Sequence, residues 1–182
     1  MGFEVAQRLG APLDVLVVRK VGAPGQPELA IGAVAPGVTV SDDATLAMLG
    51  VTPEYFEMAA RHERLEVERR ERMFRERRPP LDLHGRTAIL VDDGLATGST
   101  MLAGVGVARQ LGAERVIVAV PVAAREAVER LQGKADQVIS LLMPEPFAAV
   151  GYWYEDFTQT EDAEVRRLLQ VTAGEPMTRK AS

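Results

Sequence analysis

Four short runs of apolar residues constrain the fold more than any other feature of this sequence. They occupy residues 13–18, 87–91, 115–120 and 137–142. Within each run the apolar residues are continuous rather than alternating with polar ones, which is typical of strands covered on both faces in a parallel sheet. We therefore predict that these four runs are strands of a mostly parallel central sheet.

Helical patterns separate several of the runs. Residues 100–111 begin after an N-cap candidate, Ser99 or Thr100, and stop at Gly112, a residue type that ends helices well. Strands alternating with helices are typical of an α/β fold, and 182 residues suit one domain, here residues 1–182. Further helices are predicted at residues 3–9, 122–131 and 161–170.

Residues 20–80 interrupt this alternation and are predicted to form an insertion. Residues 20–52 are rich in Gly and Pro, with short strand candidates at 29–34 and 38–40, and indicate a mobile loop with a small hairpin. Residues 54–78 are dense in Arg and Glu at helical spacing, which indicates an exposed helix or hood. Its thin apolar stripe consists of Tyr55, Met58 and Leu65. At the other end of the chain, residues 171–182 are predicted to be a frayed tail.

The stretch with the clearest chemistry is residues 88–100, AILVDDGLATGST. A buried strand leads into two carboxylates, a loop of small residues and a helix start, and ligands of open α/β sheets bind at the carboxyl ends of strands. Gly94 and Gly98 allow the backbone to turn and approach a ligand. Backbone amides with the hydroxyls of Thr97, Ser99 and Thr100 can cradle a phosphate at the helix N-terminus.

Two adjacent acids, Asp92 and Asp93, have little use in binding phosphate alone. They suit a ligand that carries vicinal hydroxyls and a divalent cation. A P-loop nucleotide hydrolase is excluded, because its motif needs a Lys directly before the Ser or Thr. An ordinary strand-loop-helix turn with capping hydroxyls is the plainer alternative.

The stretch closely resembles the phosphoribosyl diphosphate signature of the type I phosphoribosyltransferases: four apolar residues, two acids, three variable residues, then Thr-Gly-x-Thr. The resemblance implies that Asp92 and Asp93 hold the ribose hydroxyls and that the loop wraps the 5-phosphate. It also implies Mg²⁺, held largely by the ligand and reached by the two acids through ligand or water. The implied substrate-binding residues of the loop are Asp92, Asp93, Gly94, Ala96, Thr97, Gly98, Ser99 and Thr100.

Ala96 departs from many members of that family, which carry an Asp able to accept a proton near the incoming base. The adenine phosphoribosyltransferases share the Ala, so the change moves a general base elsewhere rather than abolishing activity.

Arg19 and Lys20 follow the run at 13–18 and are suited to an anionic ligand at a strand's carboxyl end. The resemblance places them where the family contacts pyrophosphate, so we expect these cations, with Asp92 and Asp93, to be the catalytic residues. The alternative is a solvated pair that ends a strand. Residues 20–52 would then be the mobile cover of the site.

The family also binds pyrophosphate through a loop after an earlier strand, which this sequence does not show ahead of residues 3–9. We therefore expect an exposed edge or an apolar groove near the strand at 13–18, and a tendency to form homodimers. We also expect weaker pyrophosphate binding than in a chain extended upstream, which puts catalytic competence in question.

Residues 147–157 hold the only Trp and two of the three Tyr, and an aromatic cluster beside acids can stack a planar base. The segment is similar to the end of the hypoxanthine-guanine phosphoribosyltransferases, which implies acceptor binding by Phe147 and Asp156. An aromatic core patch around the final helix is the alternative. Lys134 with Asp136 loosely resembles that family's purine-reading lysine, although an exposed loop lysine is the favoured interpretation.

Composition removes several other classes of function. A net charge of −5 argues against nucleic acid as a partner. There is no Cys, and His62 and His84 are too isolated to suggest a metal site. No apolar stretch approaches the roughly 18 residues of a membrane span, and the N-terminus does not resemble a signal peptide, so we expect a cytoplasmic protein.

Three hypotheses follow from these residues. The first is a phosphoribosyltransferase that moves the 5-phosphoribosyl group to a nitrogen acceptor, such as a nucleobase of nucleotide metabolism, and releases pyrophosphate. The second is a non-catalytic module that senses the same ligand or a nucleotide. The third is a hydrolase of a phosphoribosyl compound, which would turn over without any acceptor.

Overall fold

Two three-stranded sheets organise the part of the chain that the computed structural model describes, residues 1–75 and 78–173. The first sheet is antiparallel and the second is parallel. In chain order the elements are α1 (Gly2–Leu9), β1 (Arg19–Ala23), β2 (Gln26–Ala35), β3 (Val38–Ser41), α2 (Asp43–Leu49), α3 (Pro53–Arg75), β4 (Thr87–Val91), α4 (Ser99–Gln110), β5 (Arg115–Val122), α5 (Arg125–Leu131), β6 (Gln137–Leu142), a 3₁₀ turn (Val150–Trp153) and α6 (Asp162–Ala173).

The parallel sheet has the strand order β4-β5-β6 and confirms the α/β prediction. Thr87 pairs with Arg115, and Ile117 on β5 pairs with Gln137. The central strand is the most buried, as its run of β-branched residues predicts. The prediction that every strand is covered on both faces is wrong for β6, where Leu141 is 77% exposed.

The predicted strand at residues 13–18 is not formed. Residues 11–18 belong to no named strand, and β1 begins only at Arg19. Side chains from the end of α3 and just beyond it hold this segment: Arg75 contacts the Asp14 carboxylate at 3.1 Å, and Arg78 donates to the Leu13 carbonyl at 3.3 Å. An apolar run becomes a strand only where a neighbouring strand meets its backbone.

A groove of about 730 Å³ lies between residues 11–16 and β4. Its walls are mostly apolar and include Val5, Leu9, Leu13, Leu16, Ile89 and Leu90. Within the described residues β4 pairs with β5 alone, so its other edge faces this groove. The expected apolar groove is therefore present, while its effects on ligand binding and self-association stay predictions.

Residues 20–52 are more ordered than the predicted mobile loop. The small hairpin is confirmed as β2 and β3, and β1 adds a third antiparallel strand. Val21 and Ile31 are fully buried in a second core between this sheet and α3. Several of the buried positions in β1 and β2 are filled by small residues, such as Ala23, Ala33 and Ala35, so the strand signal in the sequence is weak.

The predicted exposed helix at 54–78 is confirmed as α3, which ends at Arg75, and residues 76–77 lie outside the described part of the chain. Of its predicted apolar stripe, Tyr55 packs against the second core. Met58 and Leu65 are each 64% exposed. The face that packs on the antiparallel sheet contains Phe56, Ala60 and Val67, spaced by four and seven residues. Charged residues dominate α3, so the true stripe is only a few small and aromatic residues wide.

The helices α1, α4, α5 and α6 confirm the predicted ones with shifted ends. The N-cap of α4 is Gly98, with φ 71°, rather than Ser99 or Thr100. The first residues of the predicted helix at 122–131 extend β5 and a turn, so α5 begins at Arg125. The predicted frayed tail is partly helical, since α6 continues to Ala173, and the remainder of the tail lies outside the described residues.

Candidate active site

The loop that follows β4 is fixed to the parallel sheet at its middle residue. The Leu95 amide donates to the Val122 carbonyl at 3.0 Å, and the Ala124 amide donates to the Leu95 carbonyl at 2.8 Å. Leu95 itself is 2% exposed. This single buried residue continues the β4–β5 pairing beyond the strand, so the residues on either side of it are held at the carboxyl edge of the sheet.

The glycines of the loop allow two close approaches. A Cβ on Gly94 would lie 2.7 Å from Val150 Cγ1 and 3.0 Å from the Val122 carbonyl oxygen. A Cβ on Gly98 would lie 3.3 Å from Ala127, and the φ of 71° at Gly98 favours glycine. The loop is therefore packed against the 150–153 turn on one side and against α5 on the other.

Asp92 and Asp93 stand together where β4 ends. The Asp93 amide donates to Asp92 Oδ1 at 2.9 Å. Desolvation raises the pKa of the Asp92 carboxyl above its ordinary value, the Asp93 amide lowers it, and the neighbouring Asp93 charge raises it again. The Asp92 side chain nevertheless keeps an open side to solvent. Such a carboxylate has a strong tendency to take up a hydroxyl donor or a cation.

The predicted phosphate cradle lies at the start of α4. The Thr97 hydroxyl donates to Ser99 Oγ at 3.1 Å, and the Ser99 amide donates to Thr97 Oγ1 at 3.4 Å. The first amides of a helix have no partner within the helix, and they carry its positive dipole end. Ala96, Thr97 and Thr100 are exposed, so the site is open to an anion from solvent.

Tyr154 joins the aromatic segment to the acidic end of the loop. Its hydroxyl donates to the Asp93 carbonyl at 2.5 Å. Desolvation, followed by the charges of Asp93 and Asp92, raises the Tyr154 pKa, which keeps this hydroxyl a donor. The Tyr154 ring packs on Phe157 with centroids 5.2 Å apart. The sequence showed an aromatic cluster, but only the fold shows that Tyr154 is the residue that meets the loop.

The two predicted acceptor residues differ in their surroundings. Phe147 is half-buried and packs against the core of the parallel sheet. The Asp156 carboxylate accepts from the Thr158 amide at 2.8 Å and from its hydroxyl at 2.5 Å, which lowers the Asp156 pKa. These contacts shape a local turn. The exposed aromatic residues beside the loop are Tyr152, Trp153 and Phe157, which argues against a core patch there.

Lys134 and Asp136 lie at the wrong end of the sheet for acceptor binding. They precede β6, and so sit at the amino ends of the parallel strands, opposite to Asp92. Asp136 accepts from the Val116 amide at 2.6 Å and from Arg109 at 2.5 Å. Lys134 is exposed, so the favoured interpretation of a loop lysine is confirmed.

The two predicted pyrophosphate residues open β1 in the antiparallel sheet rather than closing a parallel strand. Arg19 Nε donates to Glu63 Oε2 on α3 at 2.8 Å, and the Arg19 side chain is 41% exposed. Lys20 precedes Val21, which is fully buried. An anion that binds Arg19 must therefore compete with the Glu63 carboxylate.

Within the described ranges no group of three or more acids or histidines is arranged to hold a metal ion. The two carboxylates Asp92 and Asp93 are hard oxygen ligands, too few to form a cage by themselves. They fit Mg²⁺, which is commonly bound by one or two carboxylates together with substrate phosphates. Across the same part of the chain, no helix is both long and apolar enough to pass through a membrane.

Comparison with known proteins decides the family. The sequence profile of the family described as "Phosphoribosyl transferase domain" matches residues 1–156. The chain belongs to this phosphoribosyl transferase family. The profile thus covers the loop, its strand and helix, and the segment up to Asp156.

Individual relatives agree with this family assignment. A Mycobacterium tuberculosis protein named "putative phosphoribosyl transferase" is 46% identical over 166 residues, which are 91% of this chain and 38% of that protein. The chain therefore spans less than half the length of this relative. A ribose-phosphate pyrophosphokinase of Pyrococcus furiosus is 36% identical over 73 residues, 38% of this chain and 26% of its own length.

A solved structure shows the same fold. The crystal structure of TT1426 from Thermus thermophilus is 46% identical in sequence, with a TM-score of 0.85. The match covers 94% of this chain and 82% of TT1426.

Proposed function

We propose that this phosphoribosyl transferase domain transfers the 5-phosphoribosyl group of phosphoribosyl diphosphate to a nitrogen acceptor and releases pyrophosphate. One observation carries the proposal: the carboxylates of Asp92 and Asp93 and the helix start at Ser99 lie on one loop, fixed to the sheet through Leu95. Carboxylates that accept hydrogen bonds from ribose hydroxyls, held at a set distance from a phosphate cradle, suit a ribose 5-phosphate.

The parts of the ligand are then divided along the loop. Asp92 and Asp93 accept hydrogen bonds from the ribose 2- and 3-hydroxyls, and residues 96–100 surround the 5-phosphate with amides and hydroxyls. As the bond from C1 to pyrophosphate breaks, positive charge develops on the ribose. The two nearby carboxylates stabilise that charge, since they are held in place before the reaction begins.

Arg19 and Lys20 would stabilise the leaving pyrophosphate. Arg19 needs to exchange Glu63 for the pyrophosphate oxygens, and the exchange is favourable because the incoming group carries more negative charge than a carboxylate. Mg²⁺ bound by the pyrophosphate, with Asp92 or Asp93 reaching it through water, would neutralise further negative charge on the leaving group.

The acceptor is proposed to be a planar nitrogen base. Support comes from the exposed rings of Tyr152 and Trp153, which lie two and three residues after Val150, the residue nearest to Gly94. Ala96 cannot accept a proton, so an acceptor that loses its proton readily, or a base elsewhere in the site, is required.

A non-catalytic ligand sensor is the second candidate. It is favoured by Ala96 and by the Arg19–Glu63 ion pair, which leaves one of the proposed pyrophosphate cations occupied. A sensor would bind phosphoribosyl diphosphate through the same loop without releasing pyrophosphate.

One experiment separates the candidates. Nucleobases and small amines are screened for magnesium-dependent pyrophosphate release from phosphoribosyl diphosphate, while binding is measured by calorimetry. The matched control is the double variant Asp92→Asn, Asp93→Asn, in which we expect binding and release to be lost while the fold remains. Binding without release for any acceptor identifies a sensor, and release without an acceptor identifies a hydrolase. Unchanged binding by the double variant contradicts the assignment of the loop.

A further inference from the structure

Arg130 lies beside the phosphate cradle although it is more than thirty residues away in sequence. Its Nη1 is 3.5 Å from Ser99 Oγ at the start of α4. Ala127, one turn earlier on α5, contacts Gly98 of the loop, and residues three apart share a helix face. Ala127 and Leu131 are 1% and 0% exposed, so α5 is anchored on both sides of Arg130. The backbone of Arg130 is thus held at a fixed position next to the cradle.

The guanidinium of Arg130 is available to a ligand. Among the described residues no carboxylate lies within ion-pair distance of it, and Ser99 Oγ is its hydrogen-bond partner. Arg125, on the same helix, differs in that its Nε is 3.6 Å from Glu145 Oε1. Arg130 is exposed, and its planar fork has further N–H donors that can bind two phosphate oxygens at once.

The negative charge around the loop means that a bound phosphate would be stabilised by a nearby cation. The chain carries a net charge of −5, and Asp92 and Asp93 stand at the opposite end of the same loop. Both effects disfavour a phosphate dianion, while amides and hydroxyls supply only partial positive charge. A full positive charge at the cradle offsets this repulsion where the anion would bind.

We infer that Arg130 is a binding residue for the 5-phosphate of a phosphoribosyl ligand and selects ribose ligands that carry this phosphate over those that lack it. The inference rests on the proposed function and extends it, since it adds a side-chain cation from α5 to a cradle formed by the residues around Ser99. The guanidinium would turn from Ser99 Oγ towards the anion and keep its position on the helix.

The test compares Arg130→Gln with Arg125→Gln, an exposed arginine of the same helix. Calorimetry measures the binding of ribose 5-phosphate, phosphoribosyl diphosphate and pyrophosphate alone, at low and at physiological salt. We expect Arg130→Gln to weaken the binding of both ribose ligands by about tenfold or more, as for the loss of a charge-assisted hydrogen bond. The salt dependence of their binding should also be reduced. Pyrophosphate binding should be unchanged, Arg125→Gln should match the wild type, and Arg130→Lys should retain part of the affinity.

Equal binding of ribose 5-phosphate by Arg130→Gln and the wild type would overturn the inference and leave the proposed function standing. An equal loss of pyrophosphate binding would also overturn it, because a general disturbance of the site would then explain the effect. If the wild type binds neither ribose ligand, the proposed function fails first, and the role of Arg130 fails with it. A thermal melt of each variant checks that the fold is intact.

Discussion

Replacing Gly94 by Ala tests whether the loop is held at a set distance from its neighbours. The added Cβ would lie 2.7 Å from Val150 Cγ1 and 3.0 Å from both Val122 Cγ1 and the Val122 carbonyl oxygen, whereas ordinary contact begins at 3.4 Å. The Val150 side chain can move. Movement of the Val122 carbonyl would weaken the hydrogen bond that it accepts from the Leu95 amide at 3.0 Å.

Overpacking of this kind costs about 1–3 kcal/mol. For a chain of this size each kcal/mol lowers the melting temperature by about 2–4 °C, so we expect a fall of about 2–12 °C. The loop must also shift away from the 150–153 turn, and ribose 5-phosphate affinity should fall with it. Differential scanning calorimetry and isothermal titration measure the two effects.

Two further variants serve as controls for the Gly94→Ala result. Gly104→Ala adds a Cβ that lies 3.6 Å from Leu90 Cδ1 inside α4, so it should raise stability by up to about 1 kcal/mol through helix propensity. Val150→Ala in the Gly94→Ala background removes the closest contact and should restore part of the lost stability. The reasoning is refuted if Gly94→Ala melts at the wild-type temperature and binds the ligand equally well.

Three further outcomes are expected. The fold raises the pKa of Asp92, so the ionised carboxylate lowers the stability of the protein at neutral pH. Asp92→Asn should therefore raise the free energy of unfolding at pH 7, by less than about 1 kcal/mol because the group is partly solvated. In urea titrations this gain should vanish below the ordinary carboxyl pKa of 3.8. Tyr154→Phe removes the bond to the Asp93 carbonyl and should lower stability by about 1 kcal/mol in the same assay, and no change would show that the bond is not stabilising. Glu63→Gln frees Arg19 and should tighten pyrophosphate binding by up to about fivefold in calorimetry, whereas weaker binding would mean that Glu63 positions Arg19 instead of competing for it.

The parts of the fold that follow local rules were predictable from sequence. The three parallel strands and the loop of residues 92–100 depend on continuous apolarity and on residue types at fixed spacing, and the structure contains them at the predicted positions. The run at 13–18 satisfies the same local rule and is not a strand, because pairing needs a partner that the pattern of a single run cannot reveal.

Contacts between distant segments were not predictable in the same way. Tyr154 reaches the Asp93 carbonyl across 61 residues, and Arg130 reaches Ser99 across 31. Nothing in the local pattern of either residue distinguishes it from neighbouring aromatic or charged side chains. Similarly, Met58 and Leu65 of the predicted stripe on α3 are exposed, because the packed face depends on where the antiparallel sheet meets the helix.

The position of α4 between the two sheets has a consequence for how far apart the proposed binding residues lie. This helix contacts all three strands of the antiparallel sheet, which carries Arg19, and also β4 and β5 of the sheet that carries Asp92. It does so through small residues on opposite sides: a Cβ on Gly106 would lie 3.5 Å from Val40, and one on Gly104 would lie 3.6 Å from Leu90. One helix therefore separates the strand that begins with Arg19 from the strand that ends just before Asp92, and the distance between these two residues depends on how closely α4 packs on each side. A bulkier residue at position 106 would meet Val40 and push the antiparallel sheet away from α4, which would increase that distance.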